Sequence, residues 1–489
     1  MAKKLPLREY EAFLKIEEIK KKFPNEVKLL NEHEIWPILK QTLWTYLTNP
    51  TAKAKTKYYS KINVNYFIKL YLFLKIIFEF FFRRSHKIYF FSRPVYIENF
   101  NNQKYDRVVD PIVNFFHKKK IKYIKYYLGK SKNIELNNYK SSYLPFNNFF
   151  KFITKKNSKI CDKDIKIIKK IIKNLKLNLN FKKLFVYLNN NITELNKSKF
   201  IFNLFFFFKK KNSVVFITSF YFPDMLGLIY VSKKFGHKII ELQHGKQGNF
   251  QAMYNCSEFY SRSLNFLPSN FWCWGLESSN NINNNFKFYK IAYNIGYPWL
   301  NFVKKNLNIQ KIRNQLNIDD QNRVILFSLQ STKFDDDFVP TFLLRFLNSI
   351  YIKNYKIIFK LHPNDNNEKI KLHLLLKNEN PNNFIIVNDI PIAALLLLSN
   401  YHLTAYSSSC FEAEFFDIPN LLYGKESKNI YKDKINDTNF IWLNETISPL
   451  KFNLKLAKIF NLKTNTLNKF IKEDLTYLKK EILHLSRVN

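Results

Sequence analysis

Two short stretches combine residue types that could hold a phosphate-bearing ligand such as a sugar nucleotide. His362, followed by Pro363, closes the apolar run Lys356–Leu361, and Ser407, Ser408 and Ser409 follow the run Tyr401–Ala405. An imidazole on a loop stiffened by proline can donate to a phosphate or stabilise a departing nucleotide. Hydroxyls and free backbone N–H groups that open a helix cradle phosphate oxygens and gain from the helix dipole. An ordinary N-cap also explains a serine there, but three in a row exceed what one cap uses. Glu412, one turn on, reads either as a first-turn carboxylate complementing the dipole or as an acceptor for ribose hydroxyls. Lys360 and the cluster Gln330-Ser331-Thr332, just past the apolar run Arg323–Ser328, join the same donor-binding set.

A second group lies upstream. The run His237–Leu242 delivers Gln243-His244-Gly245-Lys246-Gln247-Gly248 into a loop. His244 could take a proton from an acceptor hydroxyl or donate to a sugar, with Asp224 and Glu241 as competing bases. Gln243, Gly245 and Lys246 are the matching acceptor contacts, the glycine permitting close approach. Asp335-Asp336-Asp337 sits in a polar loop with no partner His or Glu nearby in sequence, so it reads as solvated and no metal is expected. No GxSxG, GxxxxGK[ST], GxGxxG or HExxH pattern occurs, which removes the main support for hydrolase, kinase and dehydrogenase readings.

The elements that must position these residues alternate between strand and helix. Strands are expected at Lys87–Ser92, Val214–Thr218, His237–Leu242, Phe271–Trp274 and Ile291–Ile295, with helices at Asp106–Phe116 and Asp224–Phe235. A second series has strands at Arg323–Ser328, Lys356–Leu361, Phe384–Val387, Tyr401–Ala405 and Asn420–Tyr423. Helices at Phe338–Ile350, Glu368–Leu376 and Ile392–Leu398, and one from Ser409, alternate with them. This predicts an α/β protein of two Rossmann-like, doubly wound parallel-sheet domains facing across a cleft. The expected division is an N-terminal helical region over 1–85, broken at Trp36-Pro37, and a first domain over 86–300. A second domain spans 320–446, C-terminal helices span 447–489, and 299–322 reads as a polar connection. Residues from about 118 to 200 are Lys/Asn-rich and read as an irregular, partly helical insertion. In open parallel sheets, ligands lie beyond the carboxyl ends of the strands, where His244, Gln330, His362 and Ser407–Ser409 all fall.

Composition narrows the partners. A chain of 489 residues exceeds one hydrophobic core, and 46% hydrophobic residues exclude general disorder. The net charge of +41 suggests nucleic acid, but the basic residues are overwhelmingly Lys within an Asn-, Ile-, Phe- and Tyr-rich, Gly-poor chain. AT-rich codons account for that composition, and the Arg forks suited to base and phosphate readout are scarce. No specific nucleic-acid partner is expected, though anionic lipids, nucleotides and glycans remain favoured. Four scattered cysteines without CxxC spacing suit a reducing cytosol. The charged N-terminus is not a signal peptide. Val64–Phe82, interrupted by Lys69, Lys75 and Glu79, reads as a buried helix or as an in-plane anchor at the inner face of the cytoplasmic membrane. Phe200–Phe208 is short enough to be a core element.

With these residues in place, the chain resembles the bacterial surface-polysaccharide glycosyltransferases of GT-B fold. The nearest resemblance is to capsule-building sialyl- and Kdo-transferases with HP and serine motifs, and the CDP-glycerol glycerophosphotransferases of teichoic acid synthesis look similar too. The matching pieces are ELQHGKQG at 241–248, LPSNFWCWG at 267–275, NIGYP at 294–298, FKLHP at 359–363 and SSSCFEAEFFDIP at 407–419. The resemblance implies that His362 and Ser407–Ser409 hold the donor phosphate and that His244 belongs to the acceptor side; the acidic-acidic-Gly motif of some sialyltransferases is not evident. It implies a metal-independent transfer, without a cofactor, from a nucleotide sugar, a CMP-linked one among the candidates, to a glycan or lipid-linked acceptor of the cell envelope. A sugar-nucleotide epimerase, a CDP-polyol phosphotransferase and a basic nucleic-acid-binding protein are the alternatives.

Overall fold

The computed structural model describes residues 8–49, 74, 87–128, 141–143, 160–175, 177, 179–207, 209, 212–245, 247, 251–259, 261–286, 290–330, 338–362, 368–436, 438–461 and 471–487. In the first lobe the strands are β1 (Ile88–Ser92), β2 (Ile97–Phe100), β3 (Gln103–Asp106), β4 (Ile124–Tyr127), β5 (Ser141–Tyr143), β6 (Val214–Thr218), β7 (Lys238–Leu242), β8 (Asn270–Cys273) and β9 (Ala292–Asn294). Seven of them form one parallel sheet in the order β5-β4-β1-β6-β7-β8-β9, while β2 and β3 make a separate antiparallel hairpin. The second lobe holds β10 (Arg323–Ser328), β11 (Tyr355–Lys360), β12 (Phe384–Val387), β13 (Tyr401–Thr404), β14 (Asn420–Leu422) and β15 (Phe440–Trp442). These form a parallel sheet in the order β12-β11-β10-β13-β14-β15. Both sheets are doubly wound, as the alternation predicts, and the fold is GT-B-like.

The central strands are apolar along their length because both faces are covered. On β1, Ile88 and Phe90 pack with Phe116 and Leu478, whereas Tyr89 and Phe91 turn to the other face and meet Phe202 and Phe205. The second lobe repeats this: Val324 and Leu326 serve one core, Ile325 and Phe327 the other. Each such fully buried side chain contributes about 1.5–3 kcal/mol.

Two expectations need correction, and a third gains detail. The stretch 118–200 is no irregular insertion: it supplies β4, a helix at Asp162–Asn174 and most of the 27-residue helix Phe181–Phe207. That long helix lies across the sheet and buries Leu184, Leu188, Leu195, Ile201 and Phe205. The stretch 299–322 is the expected connection, carried by helices Pro298–Asn306 and Ile309–Gln315. The N-terminal helices Glu9–Lys22, Pro24–Glu32 and Trp36–Thr48 share the first lobe's core instead of standing apart.

Close approach of helix Pro223–Lys234 to the long helix depends on Gly227, where a Cβ would come within 2.5 Å of Ser198 Oγ. The chain crosses between lobes at helix Pro298–Asn306 and returns through 471–475 to helix Thr476–Arg487, which packs on helix Asp110–Lys118 of the first lobe. The crossings touch: Lys472 N–H donates to the Trp274 carbonyl at 2.8 Å, and Asn301 Nδ2 donates to the Glu473 carbonyl at 3.3 Å. Among the described residues no helix is long and apolar enough to cross a membrane. Of Val64–Phe82 only Leu74 lies within them. The end of Phe200–Phe208 is core, with Phe202, Phe205 and Phe206 buried.

Candidate active site

Each sheet has one point where the winding direction reverses, between β1 and β6 in the first lobe and between β10 and β13 in the second. There the crossover helices leave on opposite faces and a crevice opens beyond the strand ends. A cavity of about 280 Å³ occupies the space between these two points. The first lobe lines it with Tyr221, His244, Gly245, Gln251 and Tyr254, and the second with Gln330, His362, Tyr406, Ser407 and Ser408. Glu9 and Tyr10, at the start of the N-terminal helix, complete the wall.

His244 stands at the centre of the first wall. Its Nε2 lies 3.2 Å from the Ser219 hydroxyl and 3.3 Å from the Tyr221 hydroxyl. Ser219 follows β6 with φ of 55°, a left-handed conformation uncommon for serine, and its hydroxyl also contacts that of Tyr96. Nδ1 of His244 is 3.8 Å from Oε1 of Glu241, the penultimate residue of β7. Glu241 is fully buried and accepts a hydrogen bond from the Tyr254 hydroxyl at 2.7 Å. Burial pushes the Glu241 carboxyl up to about 8. Burial, with the positive charge of Arg107, pushes His244 down to about 3. At neutral pH the pair is therefore a protonated carboxyl beside a neutral imidazole whose Nε2 faces hydroxyl groups.

The opposite wall is built from strand ends of the second sheet. His362 follows β11, Gln330 follows β10, and Tyr406–Ser408 follow β13. The Tyr431 hydroxyl donates to the Ser407 carbonyl at 2.7 Å and pins the loop. Ser409 lies behind this wall, its hydroxyl 2.8 Å from that of Ser407 and 3.1 Å from His402 Nε2. The three serines thus divide: Ser407 and Ser408 face the cavity, and Ser409 ties them to the strands.

Other expected site residues are spent elsewhere. Asp224 pairs with Arg93, its backbone carbonyl accepts from Ser198 Oγ at 2.5 Å, and it does not line the cavity. Gln243 is buried; its amide donates to the Gly245 carbonyl at 2.8 Å and to Ser278 Oγ, and its oxygen accepts from Trp274 N–H at 2.6 Å. It shapes the His244 loop instead of offering itself to an acceptor. Lys360 Nζ donates to the Asn388 carbonyl. Glu412 points to Arg107 across the gap between lobes, not into the cavity. At Gly245 a Cβ would meet nothing within 4 Å, so this glycine fronts open space. Ser331, Thr332, Lys246 and Asp335–Asp337 lie outside the described residues, and among those described no cluster suits a metal ion.

Several wall residues were not anticipated. Tyr221 was open to the strand-end argument, since it follows β6 by three residues. Tyr254 arrives on a short loop that Glu258 anchors to the N-terminal helices: Lys40 Nζ donates to its carboxylate at 2.6 Å, and Trp36 Nε1 at 3.0 Å. Nothing local in the sequence marks Glu9, Tyr10 or Tyr254.

Two lobes thus present an imidazole on one side and a His/Ser set on the other. The sequence profile of the CDP-Glycerol:Poly(glycerophosphate) glycerophosphotransferase family matches residues 144–445, and the chain belongs to that family. It is accordingly a transferase of the glycerophosphotransferase class. No curated protein matches the chain. Similar solved structures include the UDP-GlcNAc 2-epimerase of Methanocaldococcus jannaschii, 14% identical with a TM-score of 0.48 over 82% of this chain and 99% of that one. The UDP-GlcNAc 2-epimerase of Neisseria meningitidis bound to UDP-GlcNAc is 11% identical, with a TM-score of 0.49 over 82% and 99%. A variant of the wall teichoic acid polymerase TagF is 14% identical, with a TM-score of 0.44 over 87% and 98%.

Proposed function

We propose that this protein transfers a polyol phosphate from a cytidine-diphosphate-linked donor to a hydroxyl of a cell-envelope polymer. The observation that carries the reading is one cavity with His244 on one wall and His362, Ser407 and Ser408 on the other. Family membership supports phosphate transfer over the sugar transfer expected from the motifs alone. In the reaction, the acceptor oxygen forms a bond to the phosphorus bearing the polyol. The bond from that phosphorus to CMP breaks, and CMP leaves with the electron pair. The acceptor proton passes to Nε2 of His244, displacing the hydrogen bonds now made by Ser219 and Tyr221. An imidazolium forming there lowers the cost of ionising Glu241, 3.8 Å from Nδ1, so the two titrate together. His362 and the two serines meet the charge on the departing phosphate, in the role a metal ion would otherwise fill. Nucleotide-linked donors and lipid-linked acceptors meet at the inner face of the cytoplasmic membrane, where this reading places the enzyme, with a peripheral contact.

Thermal shift against CMP, CDP, UDP, GDP and CDP-glycerol, repeated on His362→Ala, tests the donor site. A cytidine-specific rise that the variant loses is expected; no shift with any nucleotide overturns the reading. CMP release should need an acceptor, whereas an epimerase would convert a nucleotide sugar with none present.

A further inference from the structure

Glu412, expected at a donor ribose, instead meets a cation from the other lobe. Its Oε1 lies 3.5 Å from an Arg107 terminal nitrogen, and Arg107 Nε lies 3.4 Å from Glu98 Oε1 on β2. Well-formed guanidinium–carboxylate bonds are about 2.8 Å, so both contacts are loose. The Glu412 side chain is 5% exposed, yet its Oε2 has no hydrogen-bond partner among the described residues, and neither does Arg107 Nε. A buried ion pair offsets its desolvation only with good geometry, which this one lacks.

Its position gives the mismatch a meaning. Glu412 is four residues past Ser408 on helix Ser409–Phe415, so it shares the face of a residue that lines the cavity. Arg107 follows β3, and its N–H donates to the Tyr96 carbonyl at 3.0 Å. The Tyr96 ring is 5.3 Å from that of His244. The guanidinium thus bridges the two lobes, between Glu98 and Glu412, close enough for its charge to act on His244.

We propose that Arg107 is a donor-binding residue lent by the first lobe, held by Glu412 while the cavity is empty and passed to the donor's diphosphate oxygens on binding. This rests on the functional reading above. A planar fork matches two phosphate oxygens and meets negative charge as the nucleotide departs. The exchange leaves Glu412 facing Glu98 and Tyr297 without its cation. Burial already lifts Glu412 to about 7, with Arg107 opposing and Glu98 adding to the rise, so a proton from solvent can neutralise it once Arg107 leaves.

The sign of one substitution decides the matter. CDP affinity is measured by calorimetry on the full chain, with turnover alongside, for Arg107→Ala, Arg107→Lys and Glu412→Gln. Removing the competitor in Glu412→Gln should raise CDP affinity severalfold. Arg107→Ala should lower it about tenfold and cut turnover further, and Arg107→Lys should restore little because a point charge is not a fork. If Glu412→Gln weakens CDP binding, Glu412 touches the ligand itself and the proposal fails. It fails equally if Arg107→Ala binds and turns over like the parent. Should Arg107→Ala not fold, the direction of the Glu412→Gln change still decides. A parent protein that binds neither CDP nor CMP would overturn the functional reading instead.

Discussion

His244 and Glu241 are chemically intelligible only as a pair. His244→Ala should reduce transfer by about 10²–10⁴-fold while CDP binding persists, which separates a base from a binding group. Loss of CDP binding in proportion would instead mark it as a donor ligand. Glu241 makes a stability prediction of definite sign. Its folded value of about 8 lies above the ordinary carboxylate value of 4.5, so between these the folded state holds a proton the unfolded state has released. Stability must then fall as pH rises through that window, by about 1.4 kcal/mol per unit at most. Glu241→Gln keeps an oxygen for the Tyr254 hydroxyl and removes the titration. It should flatten the slope of Tm between pH 5 and 8, and an unchanged slope would refute the assignment. At Gly245, where an added Cβ meets nothing, alanine should leave Tm unaltered and impair turnover through the acceptor's KM. That His244, His362, Ser407 and Ser408 fall at the cavity was legible in the sequence, because strand ends can be read from apolar runs. The partners of Asp224, Gln243 and Glu412, namely Arg93, Trp274 and Arg107, were not, because only the fold brings them together.

Among elements, the long helix Phe181–Phe207 was the principal surprise. Its buried positions Leu184, Leu188, Leu195, Ile201 and Phe205 do recur at helical spacing. The pattern was obscured by Lys and Asn on the outer face and by two polar residues on the inner one. Asn191 is buried because its amide donates to Thr42 Oγ1 at 2.9 Å and to Gln41 Oε1 at 3.2 Å. Ser198 is buried because nothing larger fits against Gly227. Gly227→Ala should therefore cost about 1–3 kcal/mol in urea denaturation through overpacking, although alanine is the better helix former. A stabilised variant would mean the two helices can part freely. The strands of both sheets were far easier to read, being buried on both faces and thus nearly continuous in apolar residues.

For the molecule as a whole, two lobes and a cleft could be foreseen from two strand–helix series, but not what joins them. Besides Arg107 and Glu412, Lys434 Nζ lies 3.1 Å from Glu277, and the Tyr10 N–H donates to Glu426 Oε1 at 3.2 Å, tying the N-terminal helix to the second lobe. CDP should accordingly slow hydrogen exchange in both lobes, around residues 93–107 as well as 401–415. Protection confined to the second lobe would show that the lobes bind independently.

The paired crossings at 298–306 and 471–475 carry a mechanical consequence. Because Asn301 meets Glu473 and Gly296 fits beneath Lys472 and Leu475, the two connections lie side by side like the leaves of one hinge pin. A joint of that form would confine any relative motion of the lobes to a swing about a single line. His362 and His244 would then travel along fixed arcs, so each closure returns them to the same register, and bulk added at Gly296 would jam the pin while touching no group that meets substrate.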